Sequence, residues 1–332
     1  MDSDYKFSRE QVDRLFSECQ KKRVAVIGDL MVDRYFWGEI ERISPEAPVP
    51  VVEVREESQS FGGAANVANN LKSLGVNTIP FGVIGDDNIG RLFLQGLQEK
   101  SIDTACIFTD PGRPTTVKTR VIARNQHIVR VDRESRDRIP LEIENGIIDR
   151  FRALAEGFNA VIFQDYNKGV ITSRIIREII GIATQGGIYI AVDPKFHNFF
   201  EYKGVSLFKP NVKETEAALG TKIFSEEDLI NCGREIFRRI APQHLLITRG
   251  AKGITLFESA EAEPAYLPTI ARKVHDVSGA GDTVIATLVT FYISGANLKE
   301  AAIIANYAAG SVCEEVGVAP VDREKLRNIL IQ

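Results

Sequence analysis

The sequence predicts an α/β protein: a doubly wound, mainly parallel sheet with helices on both faces, plus a small separate β-sheet that forms a lid. Three observations lead there. Short β-branched runs alternate with stretches of helical period along most of the chain, two segments instead alternate polar and apolar residues, and no internal repeat or low-complexity tract interrupts the pattern.

The buried strands read in order as Val24–Gly28 (VAVIG), Thr78–Ile84, Ala160–Gln164 (AVIFQ), Ile188–Val192 (IYIAV), Val205–Phe208 and Leu245–Thr248. Helical period follows most of them, as over Thr172–Thr184. The two exceptions are Pro48–Arg55 (PVPVVEVR) and Thr116–Arg133 (TVKTRVIARNQHIVRVDR), whose period of two marks strands with one solvated face. Asn125-Gln126 suits a hairpin tip. The expected architecture is one domain over residues 1–332, with lid segments at about 42–56 and 115–133. A lid that closes over a ligand and decorative surface hairpins both fit these segments.

Composition narrows the function. Lys and Arg total 41 against 45 Asp and Glu, a net charge of −4, which argues against a nucleic-acid or membrane surface as the main partner. Cys19, Cys106, Cys232 and Cys313 are scattered without metal-ligand spacing, as expected of reduced thiols in a cytoplasmic protein. The first residues are charged throughout, unlike a signal peptide, and the longest apolar run, Val284–Ile293, is too short to span a bilayer. No GxxxxGK[ST] loop occurs, and VIGDLMVD stands where a GxGxxG turn would follow the first strand, so any nucleotide site is built another way.

The strongest chemical signal is Asp276–Thr283, DVSGAGDT, at the head of a helical pattern. Gly279, Ala280 and Gly281 let the backbone approach a ligand and aim N–H groups at an anion, helped by the helix dipole. Asp282 inside that anion hole would repel phosphate unless it has a task there. Taking a proton from an attacking hydroxyl is such a task; an N-cap after a glycine turn is the bland alternative.

Phe61–Gly75 supplies Gly62 and Gly63 before a helix and Asn66 one turn in, suited to sugar hydroxyls or to a tight turn packed on the sheet. Asp29 and Asp33 follow the first strand, at the end where open α/β sheets place ligands, although Asp29 fits a turn cap equally well. Asn211 and Glu214, in KPNVKE, share a helical face and could hold the water shell of Mg²⁺ or simply start a solvated helix. Thr248, Gly250 and Gly253, in LITRGAKG, suit a nucleotide or a hairpin.

In this order the motifs make the sequence resemble the ribokinase/PfkB family of carbohydrate kinases. FGGAANVANNLKSLG and DVSGAGDT are similar to its two signatures, and PNVKE to its Asn-x-x-Glu magnesium motif. The resemblance implies a ribokinase-like fold, ATP, Mg²⁺, Asp282 as base, a lid that often serves as a dimer interface, and Asp276 and Ser278 at a monovalent-cation site, with K⁺ as the candidate. RISPEAPVPVVEV, TRVIARNQHIVRVD, DYNKGV and VDPK further resemble the heptose 7-phosphate kinases of that family, which in many bacteria form the first half of a bifunctional protein. The chain ends at Gln332, which predicts the kinase-only form. Gln164 stands where those kinases usually carry serine, near the sugar, and Asn167 at a variable place.

The expected substrate is therefore a sugar phosphate, heptose 7-phosphate, phosphorylated at its anomeric hydroxyl. Lys118, Arg120 and Arg124, projecting from one strand face, and Lys195 after Asp193-Pro194 are the expected anchors for its phosphate. Rival readings are a kinase of the same family for ribose, fructose or a hexose phosphate, a silent sugar-binding protein on the same fold, and a nicotinamide-dependent oxidoreductase. The intact Asp282, Asn211 and Glu214 argue against the silent binder, and the missing GxGxxG turn against the oxidoreductase.

Overall fold

A computed structural model describes residues 5–124, 126–270, 276–315 and 317–331. Helix α1 (Arg9–Cys19), capped by the Ser8 hydroxyl, leads into strand β1 (Arg23–Gly28). In β1, Val24 and Val26 enter one apolar cluster while Ala25 and Ile27 enter another, as period two demands of a strand covered on both faces. Next come β2 (Leu30–Ile43), β3 (Pro50–Gly63), α2 (Ala64–Ser73), β4 (Asn77–Gly85), α3 (Asn88–Glu99), β5 (Ile107–Asp110), β6 (Thr116–Ala123) and β7 (Gln126–Arg133). The chain continues through α4 (Leu141–Leu154), β8 (Ala160–Gln164), α5 (Ser173–Gln185), β9 (Tyr189–Asp193), β10 (Leu207–Phe208), α6 (Val212–Leu219), α7 (Glu226–Ile240) and β11 (His244–Thr248). It closes with β12 (Ile254–Phe257), β13 (Ala265–Leu267), α8 (Ala280–Ile293), α9 (Leu298–Cys313) and α10 (Arg323–Ile331).

Among the described residues one sheet has the order β13-β12-β11-β10-β9-β8-β1-β4-β5 and a second the order β3-β2-β6-β7. In the large sheet β11, β10, β9, β8, β1, β4 and β5 pair in parallel, with β12 and β13 antiparallel at one edge. From β1 the chain winds first toward β4 and later toward β8, so the carboxyl end of β1 is the switch point at which such a sheet leaves a crevice. Helix α8 packs against α9, α2 and β9, and its residues Asp282–Phe291 are all buried. A helix apolar all round belongs in the interior. Among the described residues no helix is long and apolar enough to cross a membrane.

The lid is larger than the period-two segments suggest. It needs β2, which shows neither a clean apolar run nor clean alternation, because Leu30–Asp33 are buried in succession while the far end is exposed. Pairing irregularities at Trp37/Gly38 and Ile40/Arg42 blur the period further, and β3 runs on to Gly63. β10 is shorter than expected, Leu207–Phe208 alone. Gln126 opens β7, while Asn125, the other half of the expected hairpin tip, lies outside the described residues.

Candidate active site

The floor of the site is the first turn of α8. Gly279 precedes it at φ 79°, a left-handed conformation that suits glycine, and no side chain caps its N–H groups. A Cβ on Gly279 would come within 2.8 Å of Asn66 Nδ2. That nitrogen is already committed: it donates to Asp282 Oδ2 at 2.8 Å. Oδ1 of Asp282 accepts from Gln164 Nε2 at 2.8 Å and from the Tyr166 hydroxyl at 3.0 Å. Asp282 is buried, and burial pushes its carboxyl up to about 7; the Asn66 donor pulls it down, and the neighbouring charge of Asp193 adds to the rise.

Charges of both signs gather beside it at the carboxyl ends of the strands. Lys209, directly after β10 and almost fully buried, places Nζ 3.0 Å from Asp193 Oδ2. A Cβ on Gly281 would sit 3.6 Å from that Nζ, so the lysine lies under the glycine turn. Lys195 pairs with Glu214 and lies 5.0 Å from the centre of the Tyr166 ring. Burial works against the Lys195 ammonium, but Asp193 and Glu214 outweigh it and hold its pKa above the usual value. Burial pushes the Glu214 carboxyl up, and Asp193 adds to that. Asn211 and Glu214 form a capping box at the start of α6, with Asn211 Oδ1 accepting from Glu214 N at 2.9 Å and Glu214 Oε2 from Asn211 N at 2.8 Å.

Over this floor lies a cleft of about 220 Å³ whose lid side carries Asp33, Lys118, Arg120 and Arg130 and whose base is Gly279 and Asp282. Arg120 on β6 and Arg130 on β7 are cross-strand partners. Like charges in that position repel. Acids offset them: Arg120 pairs with Asp33, Arg130 with Asp132 at 3.0 Å, and Lys118 with Asp132 at 3.5 Å. Gly62 makes room for Asp33, since a Cβ there would lie 2.2 Å from Asp33 Oδ2. A Cβ on Gly63, at φ 57°, would lie 2.4 Å from Asp29 O.

A buried carboxylate at an uncapped helix N-terminus, with lysines beside it and polar groups across a cleft, is an arrangement for moving a phosphoryl group to a hydroxyl. Residues 21–325 match the family described as pfkB family carbohydrate kinase. The chain belongs to that family. It is a kinase, a phosphotransferase with an alcohol acceptor. It is 43% identical over 320 residues to the "Bifunctional protein HldE" of Pelobacter propionicus, an alignment covering 96% of this chain and 65% of that relative's length. A relative of the same name from Helicobacter pylori is 43% identical over 94% of this chain and 67% of its own. The fold is ribokinase-like: Arabidopsis thaliana ribokinase complexed with ribose and ATP superposes with a TM-score of 0.74 at 19% identity, covering 93% of this chain and 98% of that one. Escherichia coli phosphofructokinase-2 in complex with potassium superposes with a TM-score of 0.74 at 16% identity, covering 94% and 99%.

Around Asp282 the structure brings together Asn66, Gly63, Asp33, Ser278, Gly279, Lys118 and Arg120, all of them expected near the site from the sequence. Ser278 N donates to Asp276 Oδ1 at 2.8 Å, which folds the turn ahead of the glycines. Other expectations are corrected. Arg124 does not share a strand face with Lys118 and Arg120: β6 ends at Ala123, Arg124 turns to φ 50°, and its exposed guanidinium points to Ile40 O. Asp29 faces away from the cleft and fastens the DYNKG turn, its carboxylate accepting from the N–H groups of Tyr166, Lys168 and Val170. Burial, with the Asp165 charge, pushes Asp29 up to about 7. Lys195, expected beyond the lid at a strand end, stands beside Glu214 and Tyr166. Thr248 bridges Asn211 at the end of β11, and Gly250 and Gly253 shape the turn into β12, where a Cβ on Gly253 would lie 2.1 Å from Leu267 O.

Sequence reasoning passed over the roles of Tyr166, Asp193, Lys209 and Arg130. Each carries a signal: Asp193 closes a buried strand, Lys209 directly follows one and Tyr166 lies two residues past one, on the edge where ligands bind, and Arg130 has the same parity as Asp132 in an alternating run.

Proposed function

We propose that this kinase transfers the γ-phosphoryl group of ATP to the anomeric hydroxyl of D-glycero-β-D-manno-heptose 7-phosphate, giving the 1,7-bisphosphate. The observation that carries the reading is the cationic lid face of Lys118, Arg120 and Arg130 across the cleft from Asp282, which suits a sugar bearing a phosphate at the end remote from its reacting hydroxyl. The motifs shared with the heptose 7-phosphate kinases support the same sugar. Asp282 takes the hydroxyl proton while the sugar oxygen bonds to the γ-phosphorus and the bond to the β,γ-bridging oxygen breaks, releasing ADP. The N–H groups around Gly279, Ala280 and Gly281, with Lys209 beneath them, offset the phosphoryl charge. A panel of phosphorylated and free sugars, read by ADP release, tests the substrate: ribose, fructose or a hexose phosphate outperforming the heptose phosphate would replace it. Repeating the panel with K⁺ exchanged for tetramethylammonium tests Asp276 and Ser278 as a monovalent-cation site.

Mg²⁺ neutralises phosphate charge when bound, and the carboxylate of Glu214, pushed up by burial and then by Asp193, fits a cation nearby. Asn211 and Glu214 would hold the ion through water. Glu214→Gln is then expected to raise the Mg²⁺ concentration at half-maximal rate severalfold; an unchanged Mg²⁺ titration would leave the capping box as their whole role.

The lid also has a second face. Val129 and Val131 on β7, Val54 on β3 and Ile43 on β2 are exposed, while Arg130 turns to the cleft. Exposed valines on edge strands fit a partner sheet, and a homodimer through the lids would cover them. Light scattering at micromolar concentration is expected to give twice the 36.8 kDa chain mass. A monomer there would contradict the dimer.

A further inference from the structure

Strand β8 ends on Gln164, a buried side chain at the carboxyl edge where β1, β8 and β9 lie side by side. Its amide nitrogen lies 2.8 Å from Asp282 Oδ1 and 3.1 Å from Asp193 Oδ2. One NH₂ group thus donates to carboxylates from two different elements, α8 and β9. The amide oxygen, also buried, has no partner. Reversing the amide would set that oxygen against both acids, so the donor orientation is the one the surroundings dictate.

The groups facing Asp282 come from every side. Asn66 reaches it from α2, Tyr166 from the turn after β8, and Gln164 from β8 itself, while Asp193 on β9 and Lys209 after β10 contribute charge. Lys195 and Glu214 stand beyond Tyr166 and Asp193. A carboxylate offers roughly four lone-pair sites, two on each oxygen. Gln164 and Tyr166 occupy both on Oδ1, and Asn66 occupies one on Oδ2.

We propose that Gln164 is a positioning residue for phosphoryl transfer: its amide clamps Asp193 and Asp282 together and, with Tyr166, fills Oδ1 of Asp282, leaving Oδ2 as the atom that takes the proton of the acceptor hydroxyl. Two carboxylates sharing a buried corner repel each other; a neutral double donor between them offsets that repulsion without adding a charge. The clamp therefore fixes the direction of the base and favours its charged form. Both effects serve an aspartate that must be ionised to act.

The inference rests on Asp282 being the base, and the experiment separates the two. Gln164→Met keeps the shape and removes both donors. With ATP and the sugar found in the panel, kcat is expected to fall about tenfold or more, the scale of a hydrogen bond to a charged group, with the KM for ATP within about twofold of the parent. Loss of a donor to the charged form raises the pKa of the base, so the acid limb of the kcat profile should move to higher pH by about one unit. A purely structural role would lower the melting temperature and leave that limb in place, which would overturn the proposal. Gln164→Asn, whose shorter amide reaches only one of the two acids, serves if the methionine variant does not fold; it is expected to shift the limb in the same direction by less, and a parental profile would overturn the proposal. Asp282→Asn is measured alongside. If it keeps its turnover, the base assignment falls and this inference with it; if it loses turnover while both Gln164 variants behave as the parent, only the clamp falls.

Discussion

Asp282→Asn is expected to lower kcat by roughly two to four orders of magnitude, the usual worth of general base catalysis, with nucleotide affinity within a few-fold of the parent. The substitution keeps the shape of a buried side chain with donors on both oxygens, but its amide cannot take a proton. The pH dependence gives a second signature. Burial pushes the Asp282 carboxyl up to about 7, so the parent should lose kcat as pH falls through that value and the base protonates. Residual turnover in the asparagine variant should lack this limb. Stability carries the same label with the opposite sense. A carboxyl whose folded pKa lies above its ordinary 3.8 is held in its neutral form by the fold, so its contribution is present at acid pH and is lost as pH rises from about 4 to about 7. Asp29, pushed up to about 7 as well, adds in the same direction and remains in the variant. Turnover within a factor of a few of the parent, measured by ADP release, would mean that another group takes the proton.

The layout of the floor was legible because it is local. DVSGAGDT places glycines, helix start and Asp282 within eight residues, and its neighbours on β1, β8 and β9 read as buried runs whose ends must meet at the sheet edge. What was illegible depends on residues far apart in the chain. Asn66 and Asp282 are 216 positions apart, and Gln164 and Asp193 come together only because β8 and β9 pair in register. Asp29 shows the limit from the other side: an acid at the end of the first strand is placed for a ligand, yet three N–H groups of the turn after β8 claim it. The lid was half legible. Alternation marks β6 and β7, but β2 starts in the core and ends in solvent, so no single period describes it. The same alternation, carried past the end of β6, put Arg124 on the cationic face; the left-handed turn at that residue breaks the parity, and across the hairpin Arg130 takes the place instead.

That exchange of one arginine for another is testable, and the effect should be large. Arg130 projects from β7 into the cleft opposite Arg120, and its guanidinium is held by Asp132 in a solvent-exposed pair. An exposed pair of this kind contributes little to the fold, so its removal should leave the melting temperature nearly unchanged. A phosphate arriving on the sugar would gain more from the same group, because a hydrogen bond between two charged partners is worth about 1.5–3 kcal/mol and Arg120 and Lys118 stand beside it to share the charge. Arg130→Ala should therefore raise the KM for the sugar phosphate roughly 10- to 100-fold. The KM for ATP should stay as it is, since the glycine turn forms the base of the cleft, across from the lid cations. Arg120 is a poorer choice for this test, because truncating it would strand the buried Asp33 carboxylate without its partner. Arg124→Ala, outside the cleft, is the control and should behave as the parent. Competition by inorganic phosphate should be relieved in the Arg130 variant but not in the Arg124 variant. If both arginine variants keep the parental KM for the sugar phosphate, or if free sugars serve the parent equally well, the lid cations do not hold a substrate phosphate and the heptose 7-phosphate assignment loses its physical basis.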